Sequence, residues 1–486
     1  MATLPQPGPY RPDPAILALG PDFYDPVEAA DFPRATLRFR NDRWAATVGL
    51  EALTDEEWVR HFARFEALPD NLREKLALRY HGHQFRVYNP DIGDGRGFLF
   101  AQMRDLHGRL LDLGTKGSGQ TPYSRFGDGR LTLKGAVREL LATEMLEALG
   151  VETSKTFSLI ETGEALERND EPSPTRSAVL VRLQHSHIRI GTFQRLATLG
   201  EADNLAKLTA YCLSHYYPQA RHCEERSDAA IQPETKSDSG LLRLARNDSE
   251  MAVALLGHVA GATATLAASY IAAGFVHGVL NSDNIAITAQ SFDYGPWRWT
   301  PYWDGHFTAA YFDHAGLYSF ARQPEAIHWD LVQLALSLRA IAEADALTPE
   351  LERFPRLFHE ALRDALFARL GIVPGELDED MKLVVAIEEA LARQTVTIDR
   401  FFFDWRGGRV RDGHDGFDEI RSLVGRREAA PGALDHPYWS DAEPCSMHIE
   451  EVEAIWSAID ESDDWAPLHA KIDAVRRMGE AYRANA

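Results

Sequence analysis

Cysteine is scarce in this 486-residue chain: Cys212, Cys223 and Cys445 are its three, and no two stand at a metal-clip or redox-pair spacing. A disulfide framework is therefore not expected, and a reducing compartment is. Basic residues are in deficit too. Lys and Arg number 51 against 73 Asp and Glu, a formal net charge of −22. Duplex nucleic acid and anionic lipid both demand clustered Lys and Arg, so neither nucleic acid nor membrane is expected as a partner. Any phosphate site must be a local basic pocket. Long hydrophobic runs are few. The most apolar one, Met251 to Ala273, is Ala/Gly-rich and carries His258, which reads as a core helix and not a membrane span. The opening MATLPQPGPYRPDP has neither a basic start nor an apolar core, so no secretory signal is evident and a cytoplasmic protein is expected.

The length allows two or three lobes around sizeable cores. Residues 1–80 read as an N-terminal extension packed on the core. Thr54 and Glu57 form a capping box ahead of a helix from Glu57 to Glu66. Residues 81–195 mix strands with one helix: Phe98–Ala101, Leu110–Leu113 and Ser177–Leu183 suit strands, and Leu133–Leu149 has helical periodicity ending at Gly150. Residues 196–486 are mostly helical, with candidates Met251–Ala273, His328–Ala342, Pro349–Leu370 (Thr348 as N-cap) and Glu379–Arg393. Arg221 to Glu250 is polar with alternating charge and reads as an inserted, mobile loop. The fold class is α+β: a protein-kinase-like two-lobed arrangement with a mixed small lobe and a mainly helical large lobe.

What carries chemistry is His277-Gly278-Val279-Leu280-Asn281-Ser282-Asp283-Asn284, followed by Asp293-Tyr294-Gly295. A kinase catalytic loop reads H-R-D-x-x-x-x-N, with the Asp accepting the substrate proton and the Asn holding a metal ion. His277 and Asn284 keep that spacing, but the base position is Val279. Asn284 and Asp293 are oxygen donors suited to Mg2+ or Mn2+; taken singly, each is also an ordinary turn residue. Ile285–Thr288 and Ser291–Phe292 suit the short strands that flank such a site. Asp283 is the carboxylate nearest the vanished base, either a proton acceptor or a residue that orders the loop.

Lys116 ends a strand-like segment and Glu139 lies in the next helix, the order of the kinase pair that holds an ammonium against phosphates. The string Gly-Asp-Gly-Arg occurs at 93–96 and again at 127–130, flanking Lys116, and offers turn amides plus a guanidinium to phosphate oxygens. Arg182 and Arg189 extend the cationic reach, or else pair with this chain's many carboxylates. His81, His83, His185 and His187 lack carboxylate or cysteine company at ligand spacing and read as packing or hydrogen-bonding histidines.

These residues resemble the selenoprotein O family of kinase-fold proteins that transfer AMP to protein hydroxyls. The resembling strings are GHQF (82–85), GDGRG (93–97), TPYSRFGDGR (121–130), RELLATE (138–144), SHIRIGTF (186–193), HGVLNSDN (277–284), DYGP (293–296) and YSF (318–320); the flanks match poorly. The resemblance implies an inverted nucleotide whose α-phosphate faces the acceptor. It implies nucleotide contacts at Gly93, Gly95, Arg96, Lys116, Asp128, Gly129, Arg182, Arg189 and Asp293. It makes Glu139 the partner of Lys116, Asp283 the proton acceptor, and Asn284 and Asp293 the metal ligands. ATP is the expected co-substrate, with UTP as another, and protein Ser, Thr or Tyr hydroxyls are the acceptors. The alternatives are an ordinary phosphotransferase, in which Asp283 stands in for the missing base, and a non-catalytic nucleotide-binding scaffold. Departures are His81, Arg86 and Asn89-Pro90-Asp91 where the family is often Gly-rich. The activation-type loop Thr308-Ala309-Ala310-Tyr311 has no cysteine, so a thiol switch there is not expected.

Overall fold

Alternation along the strand Thr175–Gln184 explains how one sheet serves two cores. Val179, Val181 and Leu183 face an aromatic layer, and Ala178 and Leu180 face the other way, onto a helix. In the computed structural model, whose described residues are 6–169, 171–218, 239–409 and 416–483, that strand is β10 of an eight-stranded sheet. The strands in the sheet, in chain order, are β1 (Tyr24–Val27), β2 (Thr36–Arg40), β3 (Lys75–Leu78), β6 (Leu99–Arg104), β7 (Leu110–Lys116), β8 (Leu131–Thr132), β9 (Lys155–Leu166) and β10. Their spatial order is β1-β3-β6-β7-β10-β9-β2, with β8 on β10, and every pairing is antiparallel. Residues 1–80 thus contribute three strands to this sheet. A separate hairpin, β4 (Gly82–Gln84) and β5 (Val87–Asn89), and a short pair, β11 (Phe275–Val276) and β12 (Arg298–Trp299), lie outside it.

The aromatic layer is anchored by the helix Asp55–Phe62, whose first turn is closed by the capping box of Thr54 and Glu57. Its Trp58 stacks on Phe157 at 5.0 Å between ring centroids, and Phe62 meets the same ring edge-on at 5.3 Å. The helix Leu133–Ala148 covers the opposite face and is buried nearly all round. That second burial comes from the C-terminus of the chain, because helices Ile449–Ser462 and Ala466–Arg483 return to pack on it. Arg476 there grips Glu144 with two 2.8 Å hydrogen bonds.

The C-terminal part is helical around Ser239–Ala273, which packs against Ala202–Tyr216, Gln323–Leu338, Ala344–Glu352 and Phe354–Leu370. Its stretch Asn247–Ala273 is long and apolar enough to cross a membrane, but more than half of its most apolar window is buried inside the protein. The sum is a mixed α+β molecule with an antiparallel N-terminal sheet and a helical C-terminal part.

Several local expectations change. The insert expected at 221–250 lies outside the described residues up to 238; from Ser239 on it is the start of the long helix. Thr348 is not an N-cap: it sits inside Ala344–Glu352, and its hydroxyl donates to the Ala344 carbonyl at 2.9 Å. The break falls at Arg353, and Pro355 enters the next helix in its first turn, where a missing N–H costs nothing. The strands expected at Ile285–Thr288 and Ser291–Phe292 are single bridges only, Ala286 to Arg189 and Ser291 to Thr153, because each segment meets just one residue of its neighbour.

Candidate active site

Strand β7 ends at Lys116, directly opposite Leu180 of β10, so the register fixes where the ammonium emerges. Its Nζ lies 2.6 Å from Glu139 Oε2 and 3.6 Å from Asp293 Oδ1. Two arginines complete the cluster. Arg182 of β10 donates to Asp293 Oδ1 at 2.7 Å and to Glu139 Oε1 at 3.3 Å. Arg189 donates to Asp293 Oδ2 at 2.6 Å and to Asp94 Oδ1 at 3.2 Å. Its guanidinium lies over the rings of Tyr80 and Phe292, 4.4 and 4.7 Å from their centroids. Burial alone would raise the Asp293 carboxyl, but Arg182, Arg189 and Lys116 outweigh it and hold it well below the usual carboxylate range. Burial pulls the Lys116 ammonium down, with Glu139 and Asp293 opposing.

The loop from His277 is fixed from below and from the side. The His277 ring meets the Phe292 carbonyl at 3.1 Å and its amide donates to Gln323, so it is a packing residue. Ser282–Asn284 form one turn of 3-10 helix. Asn284 Nδ2 donates to the Val279 carbonyl at 3.0 Å, which leaves its amide oxygen for another partner. Asp283 is 7 % exposed, and its Oδ1 has no hydrogen-bond partner. Burial pushes this carboxyl up to about 6, with Arg189 opposing.

A cleft of about 980 Å³ runs past these groups. Each residue singled out in the sequence as a nucleotide or metal contact lines it, including Val279 at the lost base position; Glu139 stands behind, holding Lys116. Gly93 is pressed against Tyr123, where a Cβ would come within 2.5 Å of the ring. Arg96 is exposed to the cleft. Gly129 has φ +71 and abuts Gly119. Asp128 stands apart from the deep cluster. It is at the exposed rim, gripped by Arg168 at 2.9 and 3.2 Å.

Three features escaped the sequence reading. Asp94 lies inside the first Gly-Asp-Gly-Arg string yet pairs with Arg189, 95 residues away. Asp330, on Gln323–Leu338, is fully buried with both carboxyl oxygens unpaired; burial and then Asp283 raise it well above the ordinary range. The third is the β4–β5 hairpin, which turns through Phe85 and Arg86, both left-handed with φ of 51 and 62. That conformation costs a non-glycine residue about 1–2 kcal/mol. The catalytic-loop segment holds it in place: Asn281 Oδ1 accepts from the Phe85 amide at 3.0 Å, and Ser282 Oγ accepts from the His83 amide at 2.8 Å. Gly82 is required there, since a Cβ would come within 2.9 Å of the Asp283 carboxyl. A turn signal of the Asn-Gly kind would have announced this hairpin; Phe-Arg does not.

Among the described residues, no cluster of three His, Cys, Asp or Glu is arranged to hold a metal. The His187 ring meets the Asp112 carboxylate at 3.2 Å, and the His83 ring meets the Gln194 side-chain amide at 2.7 Å. Asn284 and Asp293 both line the cleft and are hard oxygen donors of the kind a Mg2+-like ion takes beside phosphate oxygens and water, although Asp293 here receives Arg182 on one oxygen and Arg189 on the other.

The family model described as protein adenylyltransferase SelO matches residues 10–424. The chain belongs to that family. The match reaches well into both flanks, where the sequence strings had given no sign of it. A protein nucleotidyltransferase YdiU of Synechocystis is 40% identical over 96% of this chain and 97% of its own length. A YdiU of Gloeobacter violaceus is 41% identical over 96% and 95%. One from Hahella chejuensis is 34% identical over 75% and 68%. This SelO-family chain is thus a protein nucleotidyltransferase of the AMP-transferring kind.

Proposed function

We propose that the cleft binds ATP, or UTP, with Mg2+ or Mn2+ and transfers the nucleoside monophosphate to a Ser, Thr or Tyr hydroxyl of a protein. The reading also takes the molecule as kinase-like, with a small lobe over 81–195, an N-terminal extension over 1–80 and a large lobe over 196–486. The observation that carries it is the state of Asp283. Asp94 and Asp293 are each engaged by an arginine, whereas the buried carboxyl of Asp283 keeps an unpaired oxygen beside the cleft.

Asp283 takes the proton of the attacking hydroxyl as a bond forms to the α-phosphorus. The bond between the α-phosphorus and the bridging oxygen breaks, and pyrophosphate leaves with the electron pair. Lys116, positioned by Glu139, and Arg182 and Arg189 meet the phosphate oxygens; their present convergence on the two oxygens of Asp293 suits a phosphate equally. Asn284 and Asp293 hold the divalent ion, which supplies charge stabilisation to the phosphates. Val279 at the usual base position cannot accept a proton, so hydroxyl activation falls to Asp283.

Chelation with EDTA is expected to abolish transfer, and added Mg2+ or Mn2+ to restore it. Peptide mapping of a modified acceptor should find the adduct on Ser, Thr or Tyr. Undiminished transfer in chelator, or adducts confined to amines, would count against these roles.

A further inference from the structure

The deep part of the cleft is electrically matched. Lys116, Arg182 and Arg189 face Glu139, Asp94 and Asp293. At the rim Arg168 is paired with Asp128 and Arg130 with Glu164. Two cations remain. Arg96 and Arg125 both line the cleft, both are exposed, and neither has an ion pair among the described residues. In a protein of net charge −22, two guanidiniums that line one cleft without an ion pair among the described residues mark where a polyanion goes.

The loop that carries Arg125 is built to present it. Ser124 Oγ donates to the Gly95 carbonyl and Thr121 Oγ1 to the Asp94 carbonyl, both at 2.5 Å, so the loop is tied to the turn that carries Arg96. Tyr123 packs on Gly93 and donates to Asp25. The Gly127 amide donates to the Ser124 carbonyl at 2.7 Å, closing a tight turn with Arg125 inside it at φ +53. Glycine would adopt that conformation freely, whereas arginine adopts it at a cost of about 1–2 kcal/mol. A strained position next to a cleft, filled by a cation with no ion pair among the described residues, points to a ligand.

We infer that Arg125 is a leaving-group residue: with Arg96 it holds the terminal phosphates of the bound nucleoside triphosphate. It takes up the charge that develops on pyrophosphate when the bond to the α-phosphorus breaks. This rests on the function proposed above.

Calorimetric titration of the full chain, in fixed Mg2+, with α,β-methylene ATP and separately with AMP tests it. Arg125→Ala should weaken triphosphate binding by about 10- to 100-fold, the worth of a charge-assisted hydrogen bond, and leave AMP binding unchanged. Arg125→Gly relieves the backbone and removes only the side chain, so it should lose as much as Arg125→Ala; Arg125→Lys should recover part. Wild-type triphosphate affinity in Arg125→Gly, or equal losses for triphosphate and AMP, would overturn the assignment. The nucleotidyl-transfer reading falls separately, if the wild-type chain transfers no label from the α-phosphate.

Discussion

Asp293→Asn is expected to reduce transfer by on the order of 10³-fold or more, because several kcal/mol of charge stabilisation on the phosphates is lost with the carboxylate. Asparagine is the informative replacement. Residue 293 has φ +57, a left-handed conformation that Asn tolerates and Ala does not. The fold should also weaken. Asp293 receives Arg182 and Arg189 and stands 3.6 Å from Lys116, so its loss leaves three buried cations facing only Glu139 and Asp94. Breaking a buried ion network of this kind costs about 3–5 kcal/mol. Thermal unfolding and metal-dependent ATP binding, measured together, check both halves. Wild-type turnover in a folded Asp293→Asn protein would remove Asp293 from the site.

Asp283→Asn should lower turnover by roughly 10²–10⁴-fold, the usual worth of a general base, with nucleotide affinity nearly unchanged. Weakened binding alongside turnover would make Asp283 a loop-ordering or metal-touching residue instead. Stability should move the opposite way from activity. Burial raises this carboxyl from 3.8 to about 6, so the folded protein favours its neutral form. Below the ordinary carboxylate value the group is protonated whether folded or not, and burying it carries no charge. As pH rises through about 6, the folded protein has to carry the buried charge and loses stability. The asparagine variant lacks that cost. It should therefore be more stable than the wild type by on the order of 1–3 kcal/mol near pH 8, with the difference fading toward pH 4. Melting curves across that range read the effect directly. A variant that is less stable than wild type at pH 8 would contradict the burial argument.

The sequence carried local relations further than distant ones. The kinase order of a strand lysine ahead of a helix glutamate pairs Lys116 with Glu139, and the two stand 2.6 Å apart. The capping box of Thr54 and Glu57 needs only four residues to form, and it formed. Arg182 and Arg189 had two readings, a phosphate contact or an internal ion pair. The structure shows the ion pairs, and the same guanidiniums line the cleft. Asp94 could not be paired with Arg189 from sequence, because their meeting depends on tertiary packing that brings the glycine turn, tied to Leu78 at the end of β3, against the segment that follows β10. The β4–β5 hairpin was hidden for a different reason. Its turn residues are held left-handed by contacts from Asn281, almost 200 positions away, so tertiary structure overrides local preference. Asp330 is likewise invisible in its own helix; only packing beside the catalytic loop leaves its carboxyl without a partner.

The central claim is that this cleft transfers the α-phosphorus and not the γ-phosphorus. The direct test incubates the full chain and a generic protein acceptor with Mg2+ and ATP labelled at either position. Label from the α-phosphate should remain on protein, with free pyrophosphate released, and label from the γ-phosphate should not. Retention of the γ label instead, with ADP as the product, would make the protein a phosphotransferase and contradict the account.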